Sequence, residues 1–187
     1  MGKIDKDKFH NLAPKDPLMR IRTGLLILAL IFAPAFLFAK DLQHQSLFKI
    51  ERSKNANIIQ YDAQIGSNGK LLKKEPVIGY WIRLAEQGQI QELSWIQSTF
   101  AFGFKAKYNQ TNDTATVDMV ADIGQPITIQ NVKGKYIATV DLEGAPSQLE
   151  KIYIKSHGKG VRVTVEYVEI FGKDLKTGEE TYARIIP

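Results

Sequence analysis

The sequence predicts a mainly β domain, an antiparallel β-sandwich or β-barrel of about nine strands with one short helix, preceded by an N-terminal signal or transmembrane helix. Three observations lead there. A single uncharged apolar run, Thr23 to Ala39, stands near the start of the 187-residue chain. The remainder reads as short segments in which apolar and polar residues alternate, and Gly, Asn, Asp and Pro separate those segments at hairpin-length intervals.

The apolar run, TGLLILALIFAPAFLFA, covers 17 residues and ends at Lys40. That length lies between a signal-peptide core and a membrane-crossing helix. Ala33-Pro34-Ala35 supplies a small-x-small cleavage pattern, whereas the long leader with Pro14 and Pro17 argues for a retained anchor. Residues 1–22 carry six basic and three acidic side chains, and Arg20 and Arg22 directly precede the run. The positive-inside tendency holds them on the cytoplasmic face and sends residues 41–187 across. The expectation is a membrane-anchored protein with a periplasmic or extracellular domain, or a periplasmic protein after cleavage.

Within that domain, Leu47 to Arg52 opens the strands. In Ile58 to Ile65 the residues Ile59, Tyr61, Ala63 and Ile65 face one way and Gln60, Asp62 and Gln64 the other. Val77 to Leu84 is apolar on both faces and is expected to be central. Ile90, Leu93, Ile96 and Phe100 recur at spacings of three and four, so Gln89 to Phe100 is expected to be a helix lying as a lid across one end of a sheet. Five more strands follow: Ala115 to Ala121, Ile127 to Val132, Tyr136 to Leu142, Lys151 to Lys155 and Val161 to Phe171. In the last, Val161, Val163, Val165 and Tyr167 form the expected buried face. Thr181 to Ile185 returns as its hairpin partner, and the spacing favours antiparallel closure over crossover helices.

Composition narrows function. The chain has no cysteine, which excludes thiolate metal sites and cysteine nucleophiles. Of the net charge of +5, residues 1–22 hold +3, leaving a nearly neutral domain without the basic field that nucleic acid requires. His44 and His157 are far apart and have no companion at ligand spacing, so no metal site and no cofactor are expected. Ser156-His157 lacks a nucleophile elbow.

The densest polar cluster is Glu51-Arg52-Ser53-Lys54-Asn55, where the first strand turns into the second, followed by Tyr61. Guanidinium, ammonium and amide together suit a carboxylate or phosphate, Arg by its bidentate fork and Lys as a point charge. The plainer alternative is a charged turn in which Glu51 pairs with Arg52 or Lys54 and Asn55 takes a left-handed backbone. Glu75 precedes Tyr80 and Trp81, which point to opposite strand faces, one into the core and one toward a groove. Arg52, Lys54, Asn55, Tyr61, Glu75, Tyr80 and Trp81 are therefore the candidate ligand-binding residues, with no catalytic set assigned.

Glu51-Arg52-Ser53-Lys54-Asn55-Ala56-Asn57, then Lys74-Glu75-Pro76-Val77 with Tyr80-Trp81-Ile82, then Ala101-Phe102-Gly103, resemble the bacterial family known as domain of unknown function 4833. The likeness covers most of Gln45 to Phe171. Phe102 stands where that family is expected to carry Tyr. The resemblance implies an exported protein and brings no activity with it. Three function classes follow: a binding or interaction module of the cell envelope for a small anionic or amphiphilic ligand or an envelope partner; a structural envelope protein; and a hydrolase or transferase with Glu51 or Glu75 as base and Lys54 and Arg52 stabilising charge.

Overall fold

The structure, a computed structural model, describes residues 42–121, 123–159 and 162–187. The apolar run 23–39 and the basic residues before it lie outside the described residues. Asp41–Pro187 forms one compact unit. Among the described residues eleven strands are present: β1 (Gln43–Arg52), β2 (Asn55–Ile65), β3 (Val77–Arg83), β4 (Gln89–Glu92), β5 (Phe104–Asn109), β6 (Thr114–Met119), β7 (Ile127–Val132), β8 (Lys135–Leu142), β9 (Ala145–Lys159), β10 (Arg162–Asp174) and β11 (Glu180–Ile185). The helix α1 (Trp95–Phe100) lies between β4 and β5, and a 3-10 turn, Leu84–Glu86, closes the β3–β4 hairpin.

Nine strands follow the path β4-β3-β2-β1-β9-β8-β7-β6-β5, curled into a half-barrel, while β10 pairs with the other edge of β9 and carries β11. The sheet is mixed, which corrects the all-antiparallel expectation. Lys49–Arg52 of β1 runs parallel to Lys151–Ile154 of β9. β8 occupies an earlier stretch of the same β9 edge, Ala145–Gln148, so β1 and β8 lie one after the other along one long strand. The Gln45 amide bridges them, donating to the Tyr136 carbonyl and accepting from the Tyr136 N–H at 3.1 Å.

The curl closes one core. Ile59, Tyr61, Ala63 and Ile65 of β2 are buried on the inner face, as their alternation predicts. The same cluster holds Ala115, Val117, Ile127, Ile129 and Ala138, with Ile152 paired beside Ile50 and Ile170 beside Ile152. Burying this apolar area, at roughly 25 cal/mol per Å², is the main term favouring the fold.

Three local expectations change. Gln89 to Phe100 is not a single helix: Gln89–Glu92 pairs with Arg83–Tyr80 as a hairpin strand, and the helix starts only after Ser94. β3 is therefore next to the edge strand β4 rather than central. In β10, Val163 and Val165 are exposed and Val168 and Ile170 are buried, because a register shift between Val165 and Tyr167 moves the inward face by one residue.

Candidate functional site

Alternation along β1 places Phe48, Ile50 and Arg52 in a row on the inner face, so the last member of a buried apolar row is a guanidinium. Its Cζ lies 4.6 Å from the ring centroid of Trp81 and 5.1 Å from that of Phe102. Those two rings meet edge to face at 5.5 Å, forming a corner that receives the cation. Arg52 Nη2 donates to Asn55 Oδ1 at 3.1 Å, and the same oxygen accepts the Asn57 N–H at 3.2 Å. Asn55 thus fixes the guanidinium's in-plane orientation.

Arg52 has no acidic partner among the described ion pairs, and its Nε–H is buried without a hydrogen-bond partner. A guanidinium offers five N–H donors, and here the bond to Asn55 is the one made. Burial pushes its pKa below the ordinary arginine value, but arginine remains charged in proteins. A half-buried cation whose Nε–H has no partner thus lies beside two aromatic rings.

Tyr61 and α1 hold the corner in place. Tyr61 Oη donates to the Phe102 carbonyl at 2.7 Å, and its ring stacks on Phe48 at 4.6 Å. Gly79 makes room for it, since a Cβ there would stand 3.0 Å from Tyr61 Cε1 and 3.3 Å from Phe104 Cε1. Gln97 fastens the other side. Its Oε1 accepts from Trp81 Nε1 at 3.0 Å and from the Ser94 N–H at 2.9 Å, while its carbonyl accepts the Ala101 and Phe102 N–H groups at 3.1 and 2.7 Å. Ser94 and Gln97 form a capping box that starts α1.

Of the seven candidate residues, the structure brings Arg52, Asn55 and Trp81 together. Tyr61 lies behind them, fully buried, and burial pushes its hydroxyl pKa well above the usual value. Its hydroxyl supports the corner from behind through the bond to the Phe102 carbonyl. Lys54 is exposed in the β1–β2 turn. Tyr80 points to the opposite face of β3, donates to buried Asp62 at 2.6 Å, and has its pKa raised by burial and then by that carboxylate. With Glu75, Ile78, Glu92, Ser98 and Phe104 it lines a separate groove of about 370 Å³.

The turn also departs from its plainer reading. Glu51, on the outer face, pairs with Lys49 at 2.6 Å and Lys151 at 3.7 Å, so it turns away from Arg52. Lys49 first, with Lys151 adding, keeps its carboxyl below the usual range although partial burial opposes them. Asn55 is not among the residues of positive φ. Ser53 sews the turn to β9, its Oγ donating to the Ser156 carbonyl and accepting the Ser156 N–H, each at 3.1 Å.

Two residues of the site escaped the candidate set, Phe102 and Gln97. The capping pattern Ser94-x-x-Gln97 was a visible signal for the second. Nothing local announces that Phe102 folds back over Arg52.

Fold and site together define a β half-barrel whose inner face ends in an aromatic-framed guanidinium. The chain belongs to the family described as Domain of unknown function (DUF4833), whose profile matches residues 48–184. No curated protein and no solved structure matches it.

Proposed function

We propose that this chain is a binding module delivered to the cell envelope, and that it holds a small ligand through a carboxylate or phosphate group placed on Arg52. One observation carries the reading: the Arg52 guanidinium is half-buried between Trp81 and Phe102 with its Nε–H unpartnered and without a carboxylate among the described ion pairs. Half-burying an unpaired charge costs stability. A side chain with only a structural task would serve better there if it were apolar, so the cation points to a role outside the fold. Trp81 and Phe102 beside it suit an amphiphilic ligand whose apolar part lies against aromatic surface. Delivery rests on the apolar run 23–39 behind Arg20 and Arg22.

The test is native mass spectrometry of the full chain released in mild detergent. The expected result is an anionic small molecule on the wild type and its loss from Arg52→Lys, which keeps the charge but not the bidentate fork. An empty wild type, or equal occupancy in both, overturns the proposal.

A further inference from the structure

α1 is built inside out. At 100° per residue, Trp95, Ile96, Thr99 and Phe100 fall on one face of the helix, and Gln97 and Ser98 fall on the other. A surface helix normally turns its apolar face to the core. Here the polar face is the attached one. Gln97 receives the Trp81 indole N–H at 3.0 Å, and the helix backbone presses on Gly103 so closely that a Cβ there would stand 1.6 Å from the Ser98 carbonyl oxygen. The apolar face looks outward, with Trp95, Ile96 and Phe100 being 72%, 64% and 69% exposed. Trp95 and Phe100 meet edge to face at 6.0 Å, so they form a joint surface. The helix carries no charged residue.

We infer that this face docks into the interfacial layer of a lipid bilayer, an inference that rests on reading residues 23–39 as a membrane segment. That run ends at Ala39, and the described domain begins at Leu42. Only Lys40 and Asp41 lie between, and the step from Ala39 to Leu42 spans at most about 10 Å, so an inserted run keeps the start of the domain near the bilayer. Trp and Phe are the side chains that settle at the headgroup boundary, and an uncharged helix face carries no ion to desolvate there. A second copy of the chain is a poorer occupant. Three large side chains offer about 500 Å², short of the roughly 800 Å² per partner that a stable interface uses.

The chain's two tryptophans make the test specific, since Trp81 is buried and Trp95 is not. The full chain is reconstituted into phosphatidylcholine vesicles with and without brominated acyl chains. The expected result is quenching by brominated lipid in the wild type and none in Trp95→Phe, whose remaining emission comes from Trp81. Equal quenching in both, or none in either, overturns the inference. Self-association of the wild type in vesicles that Trp95→Phe abolishes, without quenching, overturns it in favour of a second copy. Extraction of the wild type by alkaline carbonate would mean instead that the tether reading has failed. Vesicles added to the freed chain then decide the matter: bromine quenching at Trp95 upholds docking, and unquenched emission rejects it.

Discussion

Replacing Tyr61 by Phe removes one hydroxyl from the centre of the domain and leaves every ring contact in place. Tyr61 is 0% exposed, and its hydroxyl donates to the carbonyl of Phe102 at 2.7 Å. Without it, a carbonyl on a buried residue loses this partner where water does not replace it. A net hydrogen bond is worth about 1 kcal/mol and an unsatisfied buried acceptor costs about 1–3 kcal/mol. The hydroxyl itself no longer needs to be desolvated, which offsets part of this, so the expected loss is about 1.5 kcal/mol. For a chain of this size that corresponds to a fall in Tm of about 5 °C. Urea unfolding of the full chain in mild detergent measures it, with an unchanged m-value expected because the surface exposed on unfolding is the same. Ligand occupancy should be retained, since the bond from Phe102 N–H to the Gln97 carbonyl at 2.7 Å still anchors the ring over Arg52. A stability change below about 0.3 kcal/mol, or loss of ligand at unchanged stability, would refute the assignment of Tyr61 as a support.

Other perturbations separate support from surface. Gly103→Ala should destabilise by at least about 2 kcal/mol, because its Cβ meets backbone atoms of Ser98; a near-neutral result in thermal melts would contradict the packing of α1. Lys54→Gln and Glu75→Gln, at exposed positions, should each change stability by less than about 0.5 kcal/mol, and a larger loss in urea titrations would give them a structural task. The Tyr136 hydroxyl is pushed up to about 12 by burial and then by its bond to Asp113. The folded chain keeps that proton where an unfolded tyrosine, near 10, has released it. The group's contribution is therefore full below pH 10 and is lost as pH rises toward 12. Tyr136→Phe should flatten the decline of stability across that window, and equal slopes in both proteins would contradict it.

Period-two patterns were legible wherever a strand has one buried face and an unbroken register. β2 is the clear case, and β7 matches its predicted bounds, Ile127–Val132. β5 carries the same signal, since Phe104, Ala106 and Tyr108 alternate with Lys105, Lys107 and Asn109 as a half-buried strand should. β10 misled because a bulge is a property of the pairing and leaves no mark on the alternation before it. The segment 89–100 misled for another reason. Apolar residues at helical spacing resembled a core face, yet Ile90 belongs to a strand and Ile96 and Phe100 point outward. The parallel neighbour of β1 comes about 100 residues later in sequence, and no local pattern can announce it.

The site was legible to a similar degree. The residue types in Glu51 to Asn55 marked Arg52 and Asn55, and the opposed faces of Tyr80 and Trp81 followed from strand geometry alone. What separated Arg52 from Glu51 was also strand geometry, because adjacent residues face opposite sides. Glu51 then found Lys151 on β9, a partner set by the parallel pairing. Phe102 depends on the path of the chain after α1, which the capping box begins and the bond from Tyr61 finishes.

Anion binding at Arg52 can be read directly at its own side chain. Arginine Nε–H resonances of the isotope-labelled full chain, with Arg52 assigned by its absence from Arg52→Lys, can be followed as inorganic phosphate or acetate is added. The expected result is a saturable shift at Arg52 well beyond those of Arg83 and Arg184. Shifts no larger than at those two, linear in salt, would contradict it.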